Sequence, residues 1–257
     1  MSSSGKIYFA SDLHLGVPNA QTSAQREKLF LQWLDEVSKD AVAIYIIGDV
    51  FDFWHEYETV VPKGFVRLQA KLASICDAGI PVYLFTGNHD LWMYGYFEQE
   101  LGVKIYRAPI TISANGKKIM IGHGDGLGPG DHGYKFIKKV FSNKVCQFLF
   151  RWLHPDLGVK LASYFSRKSR YGNSSDSIKP EVFHGNEKEW LVQYCMRKLE
   201  KEHYNYFVFG HRHLPLDIQL KENSRYINTG DWLSYNSYAV FDGNQLQLKY
   251  YKGHDAQ

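Results

Sequence analysis

Residues 43–52 have the sequence AIYIIGDVFD, and this stretch decides the fold. Its first five residues are apolar and rich in β-branched side chains, a composition typical of a buried strand. Gly48 lets the backbone turn, so Asp49 follows at the carboxyl end of that strand. Ligands of open α/β sheets bind at this end, and the two oxygens of a carboxylate can bridge two metal ions. A single Gly-Asp pair is also typical of an ordinary turn cap.

Four other segments repeat this order of apolar strand, turn and metal-binding side chain. After the apolar runs come Asp12-Leu13-His14, Gly87-Asn88-His89-Asp90, Gly122-His123-Gly124-Asp125 and Gly210-His211-Arg212-His213. These side chains offer oxygen and imidazole nitrogen but no thiolate, which suits a hard or borderline ion such as Mn, Fe or Zn. Each segment alone is weak evidence, but their recurrence in one chain predicts a metal centre at the ends of several strands.

The order of these segments resembles that of the calcineurin-like metallophosphoesterases, whose motifs are Asp-x-His, Gly-Asp-x-x-Asp, Gly-Asn-His-Asp, Gly-His and Gly-His-x-His. The resemblance covers residues 7–125 and 205–250. It implies an α/β protein of the sandwich type, in which two β-sheets flanked by helices hold two divalent ions between them. It assigns one ion to Asp12, His14, Asp49 and His213. It assigns the other ion to Asp49, Asn88, His123 and His211, with Asp49 as the bridge.

Hydrophobic periodicity predicts helices at 24–39 and 63–78, each between two predicted strands. Alternation of strands and helices is the signature of an α/β protein. This alternation stops after Asp125 and returns near Tyr204. We therefore predict a metallophosphoesterase core formed by 1–125 and 203–257, interrupted by a mainly helical cap insertion at 126–202.

The predicted insertion differs from the rest of the chain in charge. Residues 126–184 contain ten Lys or Arg and four Asp or Glu, a net charge of +6 in a protein whose formal net charge is +3. The same segment carries large apolar side chains at helical spacing, namely Phe136, Ile137, Val140, Phe141, Val145, Phe148, Leu149, Trp152 and Leu153. Two interpretations fit: a cap that rests on an anionic lipid surface, or a helical insert that packs its apolar face on the core.

Within the family, the chain is most similar to the pyrophosphatases of lipid A synthesis. The similarity is carried by the segment after His123, by Asp131-His-Gly-Tyr134 and by 167–175, so it includes the insertion. It implies hydrolysis of UDP-2,3-diacylglucosamine to 2,3-diacylglucosamine 1-phosphate and UMP, with Mn²⁺ as the metal and Fe or Zn as alternatives. It also implies that five side chains line the substrate groove: Asp131, Tyr134, Arg167, Ser169 and Asn173.

Two positions depart from the proteobacterial members of this group, which have Arg at the place of His89 and Lys near that of Asp176. His89 restores the generic family motif, and an imidazole there can donate a proton to a leaving oxygen. The predicted catalytic set is His89, Asn88, Asp52 and Asp90, with Asp52 or Asp90 orienting the imidazole. Because of these departures, another phosphoesterase activity stays open as an alternative, such as that of a phosphodiesterase, nucleotide phosphatase or nuclease.

Several features bear on location and partners. The first residues lack the apolar segment of a signal peptide, and no run of roughly 18 apolar residues is present. Cys76, Cys146 and Cys195 are far apart, as is typical of reduced cytoplasmic thiols. We predict a cytoplasmic protein, peripherally associated with the cytoplasmic face of the inner membrane. A nuclease needs a long basic groove, whereas the basic excess here is confined to the insertion, so no nucleic acid is expected. No protein partner is inferred.

Overall fold

The computed structural model describes residues 5–128, 132–171 and 182–252. These residues form eleven strands and seven helices. In chain order the elements are β1 (Lys6–Ala10), α1 (Ala20–Val37), β2 (Ala41–Ile47), α2 (Val66–Asp77), β3 (Val82–Phe85), α3 (Tyr96–Leu101), β4 (Lys104–Tyr106), β5 (Ile110–Ala114), β6 (Lys117–Gly122), α4 (His132–Phe141), α5 (Lys144–Arg151), α6 (Pro155–Tyr171), α7 (Trp190–Leu199), β7 (Tyr206–Phe209), β8 (Pro215–Lys221), β9 (Ser224–Thr229), β10 (Ser237–Phe241) and β11 (Leu246–Tyr250).

The strands form two mixed sheets. The first has the order β11-β10-β1-β2-β3-β4, and the second has the order β5-β6-β7-β9-β8. Neighbours from β1 to β4 are parallel, as are β6, β7 and β9, whereas the outer strands β5, β8, β10 and β11 pair antiparallel. Parallel strands covered on both faces are apolar throughout, which explains the unbroken apolar run of β2. The predicted architecture of two sheets flanked by helices is confirmed.

The two sheets pack face to face around an apolar layer. Phe9 and Ile47 from the first sheet meet Ile121 and Val208 from the second in this layer. Helices α1 and α2 cover the outer face of the first sheet, where Trp33 is fully buried. Helix α7 covers the outer face of the second sheet. This stacking brings the carboxyl ends of parallel strands from both sheets to one edge of the sandwich.

The helix boundaries differ from the predicted ones for local reasons. Helix α1 begins four residues before the predicted start, because Asn19 caps it by accepting the amide of Thr22 at 3.0 Å. Helix α2 begins later than predicted, because Phe65 is in the left-handed conformation with φ 55°. Hydrophobic periodicity marks the buried face of a helix, whereas caps and single left-handed residues set its ends.

The predicted insertion contains helices α4 to α7. Helices α4 to α6 leave many large apolar side chains exposed, whereas α7 buries Leu191, Val192 and Cys195 against the second sheet. Helix α7 therefore packs as part of the core, although it lies within 126–202. The division of the chain into core and insertion stays a prediction. Among the described helices, none is long and apolar enough to cross a membrane.

Candidate metal centre

The five predicted segments meet where the parallel strands of both sheets end. The backbone there is unusual, because several residues other than glycine have positive φ angles. They are Asp12 (57°), His14 (44°), Asp49 (51°), His211 (69°) and His213 (49°). Left-handed backbone is costly for side-chain-bearing residues and clusters at functional sites, where the surrounding structure enforces it. Here it turns each side chain back toward the edge at which the sheets meet.

A first group of ligand atoms comes from Asp12, His14, Asp49 and His213, all within 4.8 Å of one another. His14 Nε2 lies 3.7 Å from Asp12 Oδ1 and 3.7 Å from Asp49 Oδ2. His213 Nε2 lies 3.5 Å from Asp12 Oδ1 and 3.2 Å from His14 Nε2. The first three residues are buried, and His213 is partly exposed.

A second group comes from Asp49, His123 and His211, with Asn88 beside them. His123 Nε2 lies 3.4 Å from Asp49 Oδ2 and 3.2 Å from Asn88 Oδ1. His211 Nδ1 lies 3.2 Å from His123 Nε2. Asp49 Oδ2 therefore faces a histidine of each group, the position of a carboxylate that bridges two ions.

The centre holds buried charge that hydrogen bonds leave uncompensated. Within the described part of the chain, Asp12 Oδ1 and Asp49 Oδ2 are buried and have no hydrogen-bond partner. Burial lowers the pKa of His211 to about 3. Burial acts in the same direction on His123, but the carboxylates of Asp49, Asp12 and Asp125 together outweigh it and raise the pKa to about 10. A buried carboxylate oxygen that accepts no hydrogen bond is costly, and divalent cations compensate it directly. The donor set of carboxylate, amide and imidazole thus fits two divalent ions.

Asp90 ties together two loops of the centre. Its Oδ1 accepts the amide of Gly87 at 2.7 Å, and its Oδ2 accepts the amide of Val50 at 2.8 Å. Burial and the nearby Asp49 raise the pKa of Asp90 to about 7. Its carboxylate is directed at backbone amides, so Asp90 positions the loops that carry Asp49 and Asn88, whereas the sequence offered it as a group that orients the imidazole of His89.

His89 and Asp52 lie together beside the first group. His89 Nδ1 is 3.0 Å from the carbonyl of Asp52 and 3.6 Å from Asp52 Oδ1. The same carboxylate oxygen is 3.9 Å from His14 Nδ1. The amide of His89 donates to Asp49 Oδ1 at 2.9 Å. Since Nδ1 faces Asp52, Nε2 is the nitrogen of His89 that can meet a substrate oxygen.

Asp231 is a member of this site that the sequence analysis missed. Its Oδ2 lies 3.3 Å from His213 Nδ1, and its Oδ1 accepts the amide of Ser234 at 2.8 Å. A carboxylate behind a ligating histidine fixes the ring and its tautomer. Asp231 could have been predicted from Thr229-Gly230-Asp231 at the end of β9, which repeats the pattern of strand, glycine and aspartate.

The side chains of the predicted substrate contacts from the insertion are not described by the structure. Asp131 and Asn173 lie outside the described residues, and so does Asp176. Tyr134, Arg167 and Ser169 fall within α4 and α6, of which only the backbone is described at these positions. Within helices α4 to α6, Lys138 donates to the buried carboxylate of Asp125, which lies two residues after His123.

Comparison with known proteins agrees with this geometry. The sequence model of the calcineurin-like phosphoesterase family matches residues 5–215. The chain therefore belongs to the calcineurin-like phosphoesterases, a family of hydrolases, as predicted. Its sequence is similar to that of a protein from Porphyromonas gingivalis, strain ATCC BAA-308 / W83, named UDP-2,3-diacylglucosamine hydrolase. The two are 36% identical over 258 residues, which cover 95% of this chain and 97% of the relative.

A second relative is the protein of the same name from Histophilus somni, strain 129Pt. It is 27% identical over 246 residues, which cover 95% of this chain and 99% of that protein. Among solved structures, Vacuolar Protein Sorting 29 from Cryptosporidium parvum aligns with a TM-score of 0.47 and 14% identity. That alignment covers 98% of this chain and 93% of the other.

Proposed function

We propose that this chain is a dinuclear-metal hydrolase that cleaves the pyrophosphate bond of UDP-2,3-diacylglucosamine in lipid A biosynthesis. The products would be 2,3-diacylglucosamine 1-phosphate and UMP. The observation that carries the proposal is a likeness to UDP-2,3-diacylglucosamine hydrolases that includes the insertion, in a chain whose metal-binding side chains converge.

The proposed ligands form two sets that share Asp49. Asp12, His14 and His213 complete the first set, and Asn88, His123 and His211 complete the second. Bound divalent ions, for which we propose Mn²⁺ with Fe or Zn as alternatives, would supply an activated water and would neutralise charge on the phosphoryl oxygens. The protein contributes a rigid edge of the sandwich, where left-handed backbone and buried carboxylates hold these side chains in place.

His89 is the proposed proton donor. The carbonyl of Asp52 accepts Nδ1–H, and the carboxylate of the same residue lies close enough to stabilise a charged imidazole. Nε2–H is then the donor to the oxygen that leaves phosphorus, or to a phosphoryl oxygen that gains charge. The carboxylate of Asp52 also lies beside His14, with Oδ1 3.9 Å from His14 Nδ1.

The insertion is the proposed contact with the lipid part of the substrate. Phe148 and Leu149 are exposed on α5, and so is Trp152 at the C-terminal cap of this helix, where the residue is 76% accessible. Removing acyl carbon from water is worth about 0.8 kcal/mol per methylene, so even a few contacts would raise affinity. Lys and Arg residues around this apolar face would attract anionic lipid, which supports peripheral association with the cytoplasmic face of the inner membrane.

The test compares two substrates. Purified protein with Mn²⁺ should release UMP from UDP-2,3-diacylglucosamine in mixed micelles, and EDTA should abolish the release. Hydrolysis of bis-p-nitrophenyl phosphate under the same conditions reports the metal centre alone. Cleavage of the small diester without cleavage of the lipid substrate would favour the second candidate, a different phosphoesterase, which the generic motif residue His89 supports.

A further inference from the structure

We propose that the buried ion pair between Glu189 and Arg212 is a positioning device that holds the His211–His213 loop in its metal-binding conformation. Arg212 Nε lies 3.0 Å from each carboxylate oxygen of Glu189. Glu189 is only 3% exposed, and the side chain of Arg212 is largely covered. This inference rests on the metal-binding part of the proposed function and adds residues that the family motif does not specify, since position 212 is the variable one in Gly-His-x-His.

The loop needs an external support because its own backbone is strained. His211 and His213 both have left-handed φ angles, 69° and 49°, and neither is glycine. The amide of Arg212 donates to the carbonyl of Gly210 at 2.8 Å, which makes the turn very tight. Such conformations persist only where the surroundings over-determine them. Arg212 stands between the two strained residues, so an anchor on its side chain acts on both.

Helix α7 provides a rigid base for that anchor. Glu189 immediately precedes the helix, and Leu191 and Cys195 on the next turns are fully buried against the second sheet. Trp190 packs edge-on to the ring of His211, with centroids 5.6 Å apart. Glu189 is therefore fixed by the core packing of its helix, and Arg212 by a charged hydrogen bond at low exposure, where such bonds are strong.

The location of the loop gives the proposal its specific consequence. His213 belongs to the first group of ligand atoms and His211 to the second. Loss of the anchor should let the loop relax toward ordinary backbone angles and withdraw one imidazole from each group. We therefore expect both metal positions to weaken together, without any change in a ligand.

The test measures metal binding rather than hydrolysis. Full-length protein stripped of metal with EDTA is titrated with Mn²⁺ by calorimetry, in the wild type, Glu189→Gln and Arg212→Lys. We expect both variants to bind Mn²⁺ about tenfold or more weakly at both positions, the usual effect of removing support behind metal ligands. The matched control is Asp217→Asn, which alters the bidentate pair of Asp217 with Arg225 on the exposed face of β8 and β9. It should bind Mn²⁺ as the wild type does.

A purely structural ion pair would give a different result. In that case Glu189→Gln and Arg212→Lys would lower the melting temperature of the metal-free protein but leave the Mn²⁺ affinities unchanged, and the proposal would be overturned. If Glu189→Gln does not fold, Arg212→Lys decides, because it keeps the charge and loses only the planar donor. A wild type that binds two Mn²⁺ ions but does not cleave the lipid substrate would refute the proposed substrate and leave this inference intact.

Discussion

The single carboxylate of Asp49 contacts several partners at once. Its Oδ1 accepts the amide of His89, and its Oδ2 faces histidines of both ligand groups. Its own backbone is left-handed, and a Cβ on Gly87 would lie 2.1 Å from Oδ1. The carboxylate is therefore packed into one position, with its oxygens assigned to different partners.

This arrangement predicts that Asp49→Ala loses both metal ions together. One side chain contributes to both positions, so its removal should leave neither group with enough charge to hold a divalent cation. Inductively coupled plasma mass spectrometry on purified protein measures the metal content per chain. A variant that retains two ions would disprove the bridging role, while retention of one ion would assign Asp49 to a single position.

His89 should behave differently, because it lies beside the proposed ligands and is proposed as a proton donor rather than as a ligand. We expect His89→Ala to keep both metals and to lose about 10²–10⁴ in turnover, the usual contribution of a positioned proton donor. The readout is kcat with Mn²⁺ saturating, and metal content is measured on the same sample. A turnover equal to that of the wild type, with the chemical step shown to limit the rate, would remove His89 from the mechanism.

At the residue scale, the side chains that the sequence proposed as ligands lie together in the structure, because each of their segments follows an apolar strand. Asp231 follows the same pattern after β9, but it lies among short strands with many turn residues, where one more aspartate carries little information. The role of Asp90 was also beyond the sequence. Only the folded backbone shows that its oxygens accept the amides of Gly87 and Val50.

At the scale of elements, helices α4 to α6 are the part whose packing the sequence could not decide. Periodicity predicted helices around 136–141 and 145–153, and helices occur there as α4 and α5. An apolar helix face that packs on the core and an apolar face that is exposed to solvent have the same residue spacing. Hydrophobic periodicity therefore cannot distinguish them. In the structure, Phe148, Leu149 and Trp152 are exposed.

That exposure predicts a substrate-dependent effect. Phe148→Ser combined with Trp152→Ser should slow hydrolysis of the diacylated substrate by at least tenfold and leave hydrolysis of bis-p-nitrophenyl phosphate nearly unchanged, because only the former has acyl chains to bury. Val66→Ser is the matched control, since Val66 is an equally exposed apolar residue on α2. Equal losses on both substrates, with circular dichroism unchanged, would reduce α5 to a structural element.

The junction between the core and α5 contains a buried histidine with a strongly altered pKa. His55 is fully buried, and within the described structure neither ring nitrogen has a hydrogen-bond partner. The rings of Tyr57, Tyr94 and Phe150 surround it. Burial, together with the nearby charge of Arg151, lowers its pKa to about 4.

A depressed histidine pKa means that the folded state favours the neutral ring. In the unfolded chain the pKa of His55 is about 6.5, so the unfolded state binds the proton more readily. His55 should therefore make the fold lose stability as pH falls from about 6.5 toward 4. We expect His55→Phe to flatten this part of the curve when the free energy of urea unfolding is compared with that of the wild type at each pH. Parallel curves for the two proteins would contradict the assignment.

At the scale of the whole molecule, the metal centre joins distant parts of the chain. Asp12 follows β1, whereas His213 and Asp231 come about two hundred residues later. The amide of Trp232 also donates to the carbonyl of Asp12 at 3.1 Å. Each sequence pattern identifies one strand end, and their recurrence predicted a metal centre where several strands end. The family resemblance then predicted which side chains share an ion.

The proposed metal ligands come from both sheets, so a bound metal ion should stabilise the fold as a whole. A ligand that binds only the native state adds about 2.7 kcal/mol when present at 100 times its Kd. We expect EDTA to lower the melting temperature by several degrees and Mn²⁺ to restore it, as measured by differential scanning calorimetry. The Asp49→Ala variant should show no response to either addition, which separates site binding from general salt effects.

The strand order of the first sheet has a consequence for how the protein is made. Strand β1 lies between β2 and β10, and Phe9 is opposite Ala239. A chain leaving the ribosome therefore carries β1 with one open edge until its partner, more than two hundred residues later, has been synthesised. Contacts of such long range form slowly, and an open edge invites pairing with other chains. The yield of folded protein in the cell should therefore depend on how well the open edge of β1 is protected from other chains during translation.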